Sequence, residues 1–221
     1  MKCSIRKYLW TFSTPLAFTP VAISAQCGKI DKYESQSAKE FDELKTKFIN
    51  NVTEIFNDKK YNDYKNEILN IEKTIINLVP DKSIEAFNLK KDFINELSKN
   101  NLNVFVKFKD SSVDEIIKIK DKKTRNENWK NEFLKFNISI YTDIYNFMGV
   151  KINNLSENKK YQDAKYKAII EDFDVLKKHH NDGLNDIKVA SEKDKFKVIK
   201  KKLGNIIIEF LELCYKINKL A

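Results

Sequence analysis

The stretch SEKDKFKVIKKKLGNIIIEFLELCYKINKL, residues 191–220, decides the fold. Its apolar positions Phe196, Ile199, Leu203, Ile206, Phe210, Leu213, Ile217 and Leu220 advance by alternating steps of three and four. At 3.6 residues per turn this spacing puts them on one stripe of a helix, an unbroken heptad seam. Ser191 and Asp194 open the run as a capping box, in which the hydroxyl accepts from an orphan backbone amide while the acid reaches back. A helix with one apolar stripe must bury it against other elements, and the rest of the chain supplies them.

Three more Ser/Thr-x-x-acid pairs predict helix starts: Ser37 with Glu40, Ser112 with Glu115 and Thr124 with Glu127. After Ser37 the stripe runs Phe41, Leu44, Phe48, Val52, Ile55, then resumes after a break as Tyr61, Tyr64, Ile68, Ile71, Ile75, Leu78. A third helix starts near Ser83, beyond Pro80, with Ile84, Phe87, Ile94 and Leu97. A later set carries Trp129, Phe133, Phe136, Tyr141, Tyr145, Met148, Ile152 and Leu155, then Tyr161, Ala164, Ala168, Phe173 and Leu176, and ends in the 191–220 seam. Between the sets Leu102, Val104, Val106 and Phe108 alternate with polar residues, which reads as a short extended connector before a small helix at Ser112.

Shifting the chain by 100 residues superposes Lys59, Lys60, Tyr61, Asp63 and Lys65 on Lys159, Lys160, Tyr161, Asp163 and Lys165. Val52 matches Ile152 and Ile55 matches Leu155, and the stripe slips phase at the same place in both copies. A turn at Asn57-Asp58 and at Glu157-Asn158 accounts for the slip. The expected fold class is therefore all-α: elongated antiparallel helical hairpins completed to three-helix bundle modules, in two related copies. The expected boundaries are a signal peptide at 1–26, a lipidated tether at 27–36, a first module at 37–100, a connector with a short helix at 101–123 and a second module at 124–221.

The amino terminus reads as an export signal. Lys2, Arg6 and Lys7 precede a weakly apolar run from Tyr8 to Ile23, and Ser24, Ala25 and Gln26 lead to Cys27. Pro15 and Pro20 interrupt the run, which makes it a poor permanent span. Removing residues 1–26 lowers the formal charge from +9 to +6 and leaves 195 residues, enough for a sizeable core. That mature chain keeps one proline, Pro80, and one arginine, Arg125, too few turn residues for a strand-rich fold. Cys3 leaves with the signal and Cys27 is the expected lipid site, so Cys214 has no intramolecular partner and reads as a small packed side chain.

Catalytic constellations are nearly absent, and no enzyme, cofactor or metal is expected. His179 and His180 are adjacent, so on a helix they point about 100° apart and cannot share a metal; they read as surface residues. Asn181-Asp182-Gly183 lacks the alternating ligands of a calcium loop and reads as a helix end or kink. Four glycines cannot build a phosphate loop. The lysine clusters Lys59, Lys60, Lys159, Lys160, Lys200, Lys201 and Lys202 have two readings, a solvated helix surface or a basic surface attracting sulfated glycans or anionic lipids. Nucleic acid is not expected, because arginine and exposed aromatics are not concentrated with them.

The sequence Ser13-Thr14-Pro15-Leu16-Ala17-Phe18-Thr19-Pro20-Val21-Ala22-Ile23-Ser24-Ala25-Gln26-Cys27-Gly28 resembles the signals of mycoplasma surface lipoproteins. The lysine- and asparagine-rich helical repeats over 33–221 look like the variable adherence-associated antigens of that group, lipid-anchored cytoadhesins. The resemblance implies cleavage before Cys27 and a diacylglycerol thioether on it, and two acyl chains suffice for stable anchoring. The expected function is adhesion to a host-cell protein or sulfated glycan from the outer face of the cell membrane. Other readings are an assembly lipoprotein that pairs through the 191–220 seam as a homo-oligomer, and a solute-binding lipoprotein, whose glycine-bearing cleft loops are missing here.

Overall fold

A computed structural model describes residues 32–80, 82–100, 102–158, 161 and 166–220. The signal peptide, Cys27 and the Lys159-Lys160 pair lie outside these residues. The described chain is all helix with no strand: α1 (Lys32–Ile55), α2 (Asn62–Ile76), α3 (Ile84–Asn100), α4 (Leu102–Phe108), a π-helical turn (Lys109–Val113), α5 (Asp114–Lys118), α6 (Lys122–Ser156), α7 (Lys167–Val189) and α8 (Glu192–Leu220).

The expected stripes are the buried faces. In α1 Phe41, Phe48 and Val52 are buried, in α2 Tyr64, Ile68, Ile71 and Ile75, and in α8 the seam from Ile199 to Ile217. The phase slip after Ile55 is a turn in which the Asp58 carboxylate accepts from the Lys60 amide at 3.0 Å. Two starts form where expected. Ser83 Oγ accepts from the Ala86 amide at 3.2 Å, and Ser191 Oγ accepts from the Asp194 amide at 3.2 Å while donating to its carboxylate at 2.7 Å.

The other three starts fall elsewhere. Ser37 lies inside α1, which begins at Lys32, so the end of the expected 27–36 tether is already helical. Thr124 lies in α6, whose cap is Asp121: its carboxylate accepts from the Thr124 amide at 2.8 Å and hydroxyl at 2.6 Å. Ser112 sits in the π turn. From residue 102 on, the expected 101–123 connector is not extended but helical: Phe105 and Phe108, three apart, are its buried residues, Leu102 and Val104 pack beside them, and Val106 faces solvent.

α1 and α2 run antiparallel, and α3 returns beside α1, where Phe41 meets Phe87 at 6.3 Å and Lys91 binds Glu40 at 2.6 Å. α3 on one side of residue 101, and α4 to α5 on the other, make up an arm along which α6 runs back. Phe108 stacks on Phe136 at 4.0 Å, Phe93 meets Phe147 at 6.3 Å and Lys151 binds Asp92 at 2.7 Å. α7 and α8 then fold antiparallel, linked by Asp172–Lys216 at 2.8 Å, His179–Glu209 at 2.7 Å and Asp186–Lys202. Buried residues of all the longer helices, Phe48, Ile68, Phe93, Ile144, Phe173 and Leu203 among them, belong to one core.

The α6–α7 crossing corrects two readings. His179 is exposed, but His180 is buried. Its ring lies parallel to that of Tyr145 at 4.7 Å. Nε2 donates to the Tyr145 carbonyl at 2.9 Å, and the Tyr145 hydroxyl donates to the His180 carbonyl at 3.1 Å. Because a carbonyl only accepts, His180 carries its proton on Nε2. Gly183 ends nothing: α7 continues to Val189, and a Cβ at Gly183 would meet Tyr145 Oη.

Candidate basic binding surface

Lys59 and Lys60 occupy the turn between α1 and α2, and that turn is held against the start of α5. The Tyr61 hydroxyl donates to Asp114 Oδ1 at 2.8 Å, and Lys60 Nζ reaches the same oxygen at 3.1 Å while lying 4.7 Å from the centre of the Tyr61 ring. Partial burial pulls the Asp114 carboxyl upward, but the hydrogen bonds from Tyr61 and Lys60 outweigh it and hold the group below its ordinary value. Bonding to Tyr61 and Asp114 raises the Lys60 ammonium in turn. Lys60 is thus a latch, while Lys59 stays exposed.

The latch brings a second basic segment to the same end of the molecule. Residues 118–125 read Lys118-Ile119-Lys120-Asp121-Lys122-Lys123-Thr124-Arg125, five cations to one acid. Lys120, Lys122 and Lys123 are exposed, and Lys118 pairs with Glu115 at 2.6 Å. Arg125 is half-buried and donates from Nη1 to the Ile119 carbonyl at 3.3 Å, which closes the α5–α6 turn. The Asp121 carboxyl is held low by the Thr124 hydroxyl and amide that it caps. Among the described residues no acid pairs with Lys59, Lys120, Lys122 or Lys123, whereas Lys91, Lys135, Lys151, Lys202 and Lys216 all have carboxylate partners.

This second segment is missing from the lysine clusters read from the sequence. Its signal in the sequence is a run of five cations to one acid at a helix start. The third expected cluster is elsewhere. Lys200 and Lys201 are exposed on α8, and Lys202 reaches across to Asp186 of α7.

Beneath the basic end lies an aromatic floor. Trp129 packs against Tyr64 at 4.7 Å, Phe133 at 4.8 Å and Phe108 at 6.0 Å, and its Nε1 donates to Glu67 at 2.5 Å. It is a packing anchor, as its place at the head of the α6 stripe suggests. Cys214 is half-buried on α8, and burial pushes its thiol up to about 11, so it is protonated at neutral pH. Among the described residues no group of His, Cys, Asp and Glu is placed to hold a metal ion, and no helix is long and apolar enough to cross a membrane. Compared with protein families, curated proteins and solved structures, the chain shows no significant match.

Proposed function

We propose that this is a lipid-anchored surface protein that adheres to a host-cell component, with Cys27 as the anchored residue and the helical body as the displayed part. The observation that carries the reading is where the Lys59 turn and the basic 118–125 segment sit. Cys27 lies five residues before α1. α1 has 24 residues, which at 1.5 Å per residue puts the turn bearing Lys59 about 35 Å from its start. An anchor at one end of α1 and exposed lysines at the other suit a protein that reaches away from its own membrane. The repeat around Lys59-Lys60 and Lys159-Lys160 fits duplication of a helical unit to lengthen such a body.

Pairing of chains through the 191–220 seam is disfavoured by its use within the chain. Ile199 and Leu203 are fully buried, and Phe210, Leu213 and Ile217 nearly so. Two copies would have to extract α8 to zip together.

The test is binding of the chain from residue 27, with Cys27→Ser, to cultured epithelial cells across a salt series. Saturable binding that weakens with salt is expected. Absence of saturable binding at any salt concentration would overturn the adhesive reading.

A further inference from the structure

We infer that the end of the molecule built from the Lys59 turn and the α5–α6 turn is a docking surface for a sulfated glycan chain. The inference rests on the adhesive reading and names its surface and its ligand. Three observations converge on it.

The cations there are uncompensated. Lys120, Lys122 and Lys123 follow one another around the turn, and the first turn of α6 contains no acidic residue. Lys122 and Lys123 open the 35-residue α6, whose first amides are already capped by the Asp121 carboxylate, so the pull on an anion comes from the lysines themselves. A bound anion relieves their mutual repulsion.

The surface is also assembled in advance. Lys59 arrives from a different part of the chain, through the Tyr61–Asp114 and Lys60–Asp114 contacts, and Arg125 fixes the neighbouring turn through the Ile119 carbonyl. Holding the two turns in place before binding lowers the ordering cost that a flexible basic tail would meet.

The chemistry selects among polyanions. The exposed donors are lysine ammonium groups, compact point charges, while the sole arginine of the segment is half-buried with one N–H on the Ile119 carbonyl. Single-stranded nucleic acid needs exposed aromatic faces for base stacking. The aromatics at this end, Tyr61, Tyr64 and Trp129, are 4%, 8% and 8% exposed. An extended chain with repeated anionic groups and no bases fits what is left.

The test compares two variants of the chain from residue 27 carrying Cys27→Ser. One replaces Lys59, Lys120, Lys122 and Lys123 by Gln; the other replaces Lys193, Lys197, Lys200 and Lys201, four exposed lysines of α8, by Gln, so the net charges match. Affinity for immobilised heparin, for unsulfated hyaluronan and for a single-stranded oligonucleotide is measured, with helicity and melting checked for each variant. The first variant is expected to lose at least tenfold in heparin affinity and to show a shallower salt slope. The second should lose less than threefold. Equal losses in the two variants would overturn the proposal, as would hyaluronan or the oligonucleotide binding as tightly as heparin with the same dependence on the four tip lysines. Cell binding that persists when heparin binding is absent would overturn the glycan docking surface and keep adhesion. Heparin binding by the tip without cell binding would keep the surface and overturn adhesion.

Discussion

The crossing of α6 and α7 depends on two glycines and a histidine. A Cβ at Gly149 would lie 2.5 Å from His180 Cε1, and the ring cannot retreat while Tyr145 stacks on it and accepts its Nε2 proton. In an open helix Gly→Ala gains up to about 1 kcal/mol. Here Gly149→Ala should cost about 1–3 kcal/mol through overpacking, read as a lower melting midpoint. A midpoint at or above that of the parent would show that the crossing has slack. Burial also pushes the Tyr145 hydroxyl up to about 12, so its bond to the His180 carbonyl keeps its proton across the neutral range. Glu72 has the opposite character. It is 2% exposed, its Oε1 has no hydrogen-bond partner, and Lys45 stands off at 3.9 Å. Burial raises its carboxyl above the ordinary 4.5. The folded state therefore holds this proton more tightly than the unfolded chain, and stability falls as pH rises from about 4.5. Glu72→Gln should stabilise by about 1–3 kcal/mol at pH 7 and change little at pH 4; equal melting shifts at the two pH values would contradict this.

Two serines of the same sequence pattern now separate by element. Ser191 caps α8 reciprocally with Asp194, and Ser191→Ala should cost about 1 kcal/mol. Ser37 matches the same pattern inside α1, where alanine is the better helix former, so Ser37→Ala should be neutral or gain a few tenths of a kcal/mol. Thermal melts of the two variants decide, and equal losses would mean that α1 starts at Ser37. The contrast shows where sequence reading succeeds. Apolar stripes of α1, α2 and α8 were legible because burial acts over many residues at once. Caps were less so, since a four-residue pattern of one hydroxyl and one acid recurs by chance in a chain with 32 acidic residues. α4 hides behind the alternation of Leu102, Val104, Val106 and Phe108, whereas its buried residues are Phe105 and Phe108, three apart, and Val106 faces solvent. His180 and Gly183 were misread by residue type, although they continue the stripe Phe173, Leu176, His180, Gly183, Ile187 in steps of three and four.

At the scale of the whole molecule the two helix sets share one core, along the face where the arm from α3 to α5 meets α6. Unfolding should thus be a single transition. In the chain from residue 27 Trp129 is the sole tryptophan, and its fluorescence should change at the same denaturant midpoint as the helical circular dichroism. Separate midpoints would mean that the sets unfold independently. Half of the basic end was legible, because Lys59 and Lys60 stand out in the repeat. The other half depends on Asp114 joining two segments 53 residues apart, which no local pattern announces. That junction in turn rests on the π turn, where the Asp114 amide reaches back five residues to the Lys109 carbonyl. The turn holds one residue more than an α-helical path needs. Loss of a single residue between Lys109 and Val113 would remove that extra residue and let the ladder close as ordinary helix, in a stretch whose Val113 and Ile116 belong to the buried core. A one-codon deletion there would therefore be felt in the body of the protein as well as at its tip, because the same few residues serve both.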